Sequence, residues 1–530
     1  MTENEAGSKP GGGETSTEQS GVKAPGGLLF GYPKGLFLVA GTELWERFSF
    51  YGMLGLLVLF LTDPVVNDGF GWNEADALRL YGIYIALVYI TPTFGGWLAS
   101  TKLGEQRCVL WGGILVTLGH FCLGGPAYFP FLFEKISGVP VHDAIASAGF
   151  PRGLLFVNDT MQADLAAAVE RLTGSEAGTL VAQAAYVCTS LSFWAGLFFI
   201  IFGTAFIKPT VTSLVGKFYE KDDRQRDAAF TIFLAAVYVG AFAANFVAGT
   251  MGEKLGWHYG LSAAGAGMFF GVLFFILLRR RYLGDVGRYA GNRKPTEAGA
   301  ERVKLTASER SKLNVIVVGS FFSIVYAFAF YQKGGLLHLI TNAQTDRVVI
   351  GFEVPATWFL TISTGFFIAL APLFAKLWIR LEKTGRSPDV SQKLAIGLAL
   401  LAIGYVFQLG AAYERDLAVD GKSNVLWIVA TYICFGLGDI FFWPTMFAAV
   451  SRFSPERLVP FVFGAWYSVF GIGTWLAGEF GALAYDVGQK TVFWGILLAC
   501  CFSAAALILL RPSIKRASRG RPMLSRADAG

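Results

Sequence analysis

Long apolar runs separated by short polar connectors fill almost the whole chain. About 20 consecutive apolar residues suffice to cross a bilayer as a helix. On that rule the pattern predicts twelve spans. Six lie near 35–62, 78–100, 107–126, 185–208, 228–250 and 258–280, and six near 312–334, 355–380, 392–414, 424–449, 459–485 and 490–511. Two longer polar stretches interrupt the series. Pro126–Ala184 contains MQADLAAAVERLTGSEAGTLVAQAA, whose spacing predicts an amphipathic helix. It reads as a surface insertion, with a ligand-gathering lid as the functional alternative. Tyr282–Arg310 is polar and basic and splits the chain into two groups of six spans, as a linker with room for a short interfacial helix. The expected organisation is a disordered tail over 1–30, a six-helix bundle over 31–281 carrying the insert 126–184, a linker over 282–310, a second bundle over 311–512, and a basic tail over 513–530.

Composition narrows the class. Of 530 residues, 54% are hydrophobic and 15% charged, and the mean hydropathy is +0.50. Water could not solvate that balance in a soluble globule, so the chain reads as an all-α, multi-pass membrane protein. The net charge of +6 is carried by loops rather than by a basic domain, which argues against a nucleic-acid partner. Basic residues fall in alternate connectors: Lys102 and Arg107; Lys217, Lys221, Arg224 and Arg226; Arg279–Arg281 through Lys312; Lys376, Arg380, Lys383 and Arg386; Arg452 and Arg457. Asp63–Ala77, in the other set, has none. The positive-inside rule then places the basic connectors and both termini in the cytoplasm. Residues 1–27 carry no signal-peptide pattern. The six cysteines lie in or beside apolar runs without CxxC spacing, which supports neither a disulfide framework nor a zinc site.

The chemistry lies in polar groups inside the spans. The first span contains GTELWERFSFYG (Gly41–Gly52), with Glu43, Glu46 and Arg47 on one helical face. Ionisable side chains in a membrane span are costly and face a bundle interior or a cavity, where they mark functional sites. Arg47 can hold a carboxylate of the protein or of a ligand, and a carboxylate beside it is suited to load and release a proton. The alternative is a static ion pair locking two helices. Span two offers Tyr81, Tyr84 and Tyr89 and ends in GGWLAS, small residues suited to close packing. Lys208 precedes Pro209 near the end of span four, as a site residue or as a snorkelling interfacial lysine. Asp439 lies mid-span in CFGLGDIFFWP, and Trp466 in FGAWYSVFGIG. Glu479 and Lys333 fall near span ends, where solvated positions are expected. Cations in the first half facing an anion in the second suit a substrate with a carboxylate at one end and an amine at the other.

The GTELWERFSFYG stretch resembles the ExxERFxYYG motif of the proton-dependent oligopeptide transporter family, a branch of the major facilitator superfamily. VYITPTFGGWLA (Val88–Ala99), FIKPTVTSLVGKFY (Phe206–Tyr219), DRQRDAAFTIF (Asp223–Phe233) and TDRVVIGFEVPATWF (Thr345–Phe359) extend the likeness over nearly the whole membrane part. The resemblance implies a major-facilitator fold of two six-helix bundles and inward symport of di- and tripeptides with protons, the proton being the coupling ion and no cofactor or metal being needed. It implies that Glu43 and Glu46 couple protons beside Arg47, that Lys208 joins in coupling and in binding the peptide carboxylate, that Tyr51 and Tyr89 line the peptide site, that Asp439 receives the peptide amine, and that Trp466 is a pocket residue.

Several positions depart from the family pattern. Leu54 stands for an arginine, Tyr238 for an asparagine, and Ser100 for an acidic residue. Ala327 and Tyr331 stand for the tryptophan and glutamate of WxxxEQ. FQSxNP reads Phe359 through Ser363 and Thr364, and Trp443 stands for a serine. Tyr238, Tyr331, Ser363 and Trp443 are therefore further pocket candidates. The two extra helices common between the halves of bacterial members are absent. The expected agent is a monomeric carrier in a bacterial inner membrane, in contact with lipid. A carrier of another small amphoteric or anionic solute, or a non-transporting sensor, are the alternatives. An enzyme is disfavoured: there is no HExxH or GxSxG, and His120, His142, His258 and His338 are scattered without ligand spacing.

Overall fold

The computed structural model describes residues 24–154, 158–219, 224–290, 305–455, 458–521 and 523. Twelve helices among them are long and apolar enough to span a membrane. Spans 1–6 are Lys34–Thr62, Glu74–Leu103, Glu105–Ser137, Glu176–Lys217, Ala228–Leu255 and Trp257–Tyr282. Spans 7–12 are Ala307–Gln344, Ala356–Lys383, Val390–Leu417, Val425–Phe453, Phe461–Val487 and Gln489–Leu509. Because the spans alternate in direction, the residues before span 1 and those after span 12 share one face, here the terminal face; the other is the opposite face.

Local chemistry sets the helix ends. Asn73 caps span 2 by accepting the Asp76 N–H, and Asn424 caps span 10 through the Leu426 N–H. Thr306 with Glu309, and Asp389 with Gln392, form reciprocal capping boxes at the starts of spans 7 and 9. Span 7 breaks into a 3-10 turn, Tyr331–Gly334, between the helices Ala307–Phe330 and Leu336–Gln344. Its backbone is held by tyrosine hydroxyls: Tyr81 donates to the Tyr331 carbonyl at 2.9 Å and Tyr432 to that of Lys333 at 3.0 Å.

Some expected boundaries are corrected. Span 3 continues through Pro126 and Pro130 to Ser137, because a proline in a buried membrane helix bends it without ending it. The insert is therefore shorter than 126–184. The amphipathic segment is not one helix. It runs Asp159–Thr173 and stops at Gly174, whose φ of +73° suits glycine, and the following residues open span 4. Residues 28–33, partly assigned to a disordered tail, form a two-stranded turn, and Arg511–Ser518, partly assigned to the basic tail, is helical. Residues 1–23, 291–304 and 524–530, with the expected interfacial helix in the linker, lie outside the described residues.

The halves meet along close backbone seams. A Cβ at Gly82 of span 2 would lie 2.8 Å from Gly478 Cα of span 11, so the two helices approach to backbone contact. At the opposite face Glu253 of span 5 accepts from the Ala356 and Thr357 N–H groups, both at 2.8 Å, and thus caps span 8 of the other half. His338 bonds the Gly55 carbonyl at 2.7 Å, and Trp358 donates to Thr250 at 2.7 Å. Toward the terminal face the halves touch more loosely, as where Thr93 donates to the Gly464 carbonyl at 3.3 Å.

Within the first half, Pro209 lacks the N–H that would bond the Ala205 carbonyl. Gly95 of span 2 packs directly on that carbonyl, with no room for a side chain. Gly95→Leu is expected to cost about 1–3 kcal/mol by overpacking, read as a lower melting temperature of the purified protein. Gly41→Ala, with nothing within 4 Å of the added carbon, should leave it unchanged.

The insert has a small core of Val141, Ile145, Leu165 and Val169, closed by Tyr186 of span 4. It is tied to the connector between spans 1 and 2, where His142 Nε2 lies 2.9 Å from Asp68 Oδ1 and buried Arg152 lies 3.4 Å from the same oxygen. The hydrogen bond to Asp68 raises the His142 pKa above 6.5 against the effect of burial; Asp143 adds to the rise and Arg152 opposes it. Partial burial opposes ionisation of Asp68, but His142 and Arg152 outweigh it and lower its pKa below 3.8. The His142 contribution is complete below its ordinary pKa and is lost as pH rises through the raised one. The Asp68 contribution is complete above its ordinary pKa and is lost as pH falls through the lowered one. The insert should therefore be docked most firmly between about pH 4 and 6.5. Limited proteolysis of the full chain is expected to cut the insert several-fold faster at alkaline than at mildly acidic pH, and His142→Asn should remove the difference.

Candidate functional site

Span 1 supplies the first cluster. One helical turn separates Glu43 from Arg47, and Arg47 Nε lies 3.0 Å from Glu43 Oε1 while its Nη2 pairs with Glu46 Oε2. All three side chains are buried. Gly240 of span 5 packs against the Leu44 carbonyl and Arg47 Cβ, so the neighbouring helix closes directly over the triad. The Arg47 guanidinium also lies 5.3 Å from the Phe50 ring centre.

Lys208 joins this cluster from span 4. Its Nζ is buried, has no hydrogen-bond partner among the described residues, and sits 3.8 Å from the centre of the Tyr89 ring. The charges of Arg47, Glu46 and Glu43 act on it. It is thus an interior lysine rather than a snorkelling one. Tyr89 in turn shares a 2.6 Å hydrogen bond with Tyr331 across the two halves and packs on Tyr467 and Phe470. Tyr331 stands where the family pattern has the glutamate of WxxxEQ, so a pair of phenols lies beside this lysine, which sits on the face of the Tyr89 ring. The loss of the arginine at Leu54 belongs with this change. A Cβ at Gly334, three residues beyond Tyr331, would meet Leu54 Cγ at 3.3 Å, so the positions that lost opposite charges flank one turn.

The second half supplies Asp439. It is 7% exposed, and one carboxyl oxygen accepts the Tyr326 hydroxyl at 2.6 Å. Tyr326 is fixed by stacking on Phe442 at 3.7 Å. Trp443, one turn beyond Asp439, interacts with the same carboxyl and packs 4.8 Å from Phe470. Tyr51 lies between the clusters, where both Arg47 and Asp439 act on its hydroxyl. Tyr238 of span 5 stacks 3.9 Å from Phe367 of span 8 and also feels Asp439. Trp466 is placed deeper, 1% exposed within an aromatic cluster, its indole N–H donating to Ser323 at 3.0 Å. Ser363 accepts from Lys333 Nζ at 3.3 Å.

The structure therefore brings Glu43, Glu46, Arg47, Lys208, Tyr51 and Tyr89 together from one half, and sets Asp439, Tyr331 and Trp443 against them from the other. Glu479 lies at the opposite face, 3.7 Å from Arg79. Lys333 corrects the sequence reading. It is 5% exposed, because span 7 does not end near 334 but runs on to Gln344. The apolar LLHLI after the turn carried that signal. Tyr326 and Tyr467 were missed because a tyrosine within an apolar run shows no sign of which groups it will meet.

Comparison with known proteins identifies the family and the fold. The family model described as the POT family matches residues 106–286 and 295–494. The peptide transporter YePEPT of Yersinia enterocolitica subsp. palearctica serotype O:3 (strain YE-P4) is 28% identical, the match covering 94% of this chain and 98% of that protein. The uncharacterized transporter YclF of Bacillus subtilis (strain 168) is 25% identical, over 93% and 96% of the two chains. A di-/tripeptide transporter of Lactococcus lactis subsp. cremoris is 24% identical, over 83% and 87%. A crystal structure of the peptide transporter POT in complex with sulfate superposes with a TM-score of 0.75 at 25% identity, over 93% of this chain and 97% of that one. With the twelve spans and a matched family model covering most of its length, the chain belongs to the POT family and has its all-α, major-facilitator-type fold.

Proposed function

We propose that the protein is a proton-coupled symporter that imports di- and tripeptides by alternating access, and not an enzyme. The observation that carries this reading is the buried, dipolar site between the halves, with Arg47 and Lys208 on one side and Asp439 on the other. A short peptide has a carboxylate and an ammonium group at its two ends, and charge complementarity selects such a ligand. The peptide-transport functions of the relatives support the same reading.

In the mechanism that follows, protonation of Glu43 or Glu46 loosens its hold on Arg47. Arg47 and Lys208 then receive the substrate carboxylate, Asp439 receives the amine, and Tyr51 and Tyr89 line the space between. The contacts from Glu253 to span 8 and from His338 to Gly55 seal the opposite face, and rocking of the halves exchanges that seal for one at the terminal face. Coupling needs only that proton and substrate favour the same state when bound together. The alternation of basic connectors supports, by the positive-inside rule, a terminal face and both termini on the cytoplasmic side of a bacterial inner membrane. The carrier works as a monomer in the lipid bilayer, with the proton as its coupling ion and no other cofactor.

Tyr238 stacked on Phe367 and Trp443 beside Asp439 favour a second reading, a carrier of another small amphoteric or anionic solute with a narrower site. Uptake of a labelled dipeptide into proteoliposomes, with and without an inward proton gradient, tests the choice. Gradient-driven accumulation competed by other dipeptides is the expected result; its absence in folded protein favours the second reading, and binding without accumulation a sensor. Glu46→Gln is expected to lower gradient-driven uptake at least about tenfold while sparing counterflow exchange, since exchange needs no net proton movement; equal loss of both would mark Glu46 as structural. Asp439→Asn removes a charge-assisted bond worth about 1.5–3 kcal/mol. It should weaken competition by a zwitterionic dipeptide about 10- to 100-fold and that by its N-acetylated form far less.

A further inference from the structure

Lys333 has no place in the mechanism above, yet it is the second lysine buried in this interior. It stands in the 3-10 turn of span 7, which tyrosine hydroxyls from spans 2 and 10 fix through the Tyr331 and Lys333 carbonyls. Its Nζ lies 3.3 Å from Ser363 Oγ and 3.8 Å from the centre of the Phe330 ring. The Ser363 hydroxyl in turn donates to the Leu360 carbonyl at 3.2 Å, so it offers the lysine a neutral oxygen and no charge. Among the described residues, no carboxylate lies within ion-pairing distance of Lys333, while Arg47 has two. Asp439 is the acidic group that acts on Lys333, and its oxygen is engaged by Tyr326. The segments that carry them are in contact: Gly436, one turn before Asp439, packs directly on the backbone of Ser363, the residue that bonds Lys333.

A buried ammonium without a close anion is costly, because desolvation of the charge is not offset by a partner. A zwitterionic dipeptide does not offset that cost, since its carboxylate goes to Arg47 and Lys208 and its amine to Asp439. A ligand with a second anionic group would. We propose that Lys333 is a specificity-determining residue that receives the side-chain carboxylate of an acidic peptide, so that the site prefers peptides containing Asp or Glu over neutral ones of the same shape. The inference rests on the reading of the protein as a peptide carrier. The swapped positions fit it: leucine at 54 and tyrosine at 331 stand where the family pattern has a cation and an anion, the Tyr331 hydroxyl is taken up by Tyr89, and Lys333 supplies a cation on the same turn.

The test is competition for uptake of labelled Ala-Ala into proteoliposomes containing the full chain, using Ala-Glu and its neutral isostere Ala-Gln. Wild-type protein is expected to take Ala-Glu about tenfold better than Ala-Gln. Lys333→Gln should bring the two to parity while Ala-Ala uptake persists, and Lys333→Arg should keep the preference. The wild-type comparison stands even where a variant fails to fold. Parity of Ala-Glu and Ala-Gln on the wild type overturns the role of Lys333 and leaves peptide transport intact. An acidic preference that survives Lys333→Gln, or an equal loss of all three peptides in that variant when its melting temperature shows it folded, also overturns it, the latter by showing that Lys333 serves Asp439 as an internal counter-charge. Failure to take up any dipeptide overturns the carrier reading and this inference with it.

Discussion

Two carboxylates and one guanidinium are buried together on span 1, and no arrangement of those three groups is neutral when all are charged. With all three charged, the Glu43–Arg47–Glu46 cluster carries a net negative charge, and Lys208 from span 4 adds a positive charge that acts on it. To bring Lys208 there, span 2 must lie against span 4, which Gly95 allows by packing onto the carbonyl that Pro209 leaves free. To enclose Arg47, span 5 must approach span 1, which Gly240 allows. Each glycine lets a backbone come close where a side chain would hold the helices apart.

The interface between the halves combines two kinds of contact. The seam at Gly82 and Gly478 is backbone against backbone and has little chemical specificity. The contacts at the opposite face are directional and polar, and the strongest is Glu253, a carboxylate placed on the N-terminus of a helix in the other half. A carboxylate capping a helix can let go as a unit when the halves rotate, and water satisfies both partners once they part. Such a contact suits a face that must open and close.

The turn at Tyr331–Gly334 is where this chain differs most from the pattern its sequence resembles. Opposite charges expected at 54 and 331 are replaced by an aliphatic side chain and a phenol, and the two changes meet around one turn. Tyr331 bonds the same tyrosine whose ring carries Lys208. Aromatic faces therefore do part of the work of carboxylates here, holding a cation without neutralising it.

The amino-acid sequence by itself determined the class, the number and approximate positions of the spans, and the charged triad of span 1, because all of these are local. Hydropathy sums over a window of about 20 residues, and the triad lies within five consecutive positions. Asp439 was legible for the same reason, as a lone acid in an apolar run. What sits beside it was not. Tyr326 is 113 positions away in the chain, and the Tyr89–Tyr331 bond joins residues 242 apart. Nor was the burial of Lys333, since a two-glycine break looks like the end of a span until the turn is seen to be held by tyrosines from two other helices. Pro126 misled in the same way, because a proline ends a helix in water but only bends one enclosed by its neighbours. Tertiary structure decided these points for one physical reason: whether a polar group in a membrane span is exposed, paired or left charged depends on which distant helix packs against it, and no property of the local sequence specifies that neighbour.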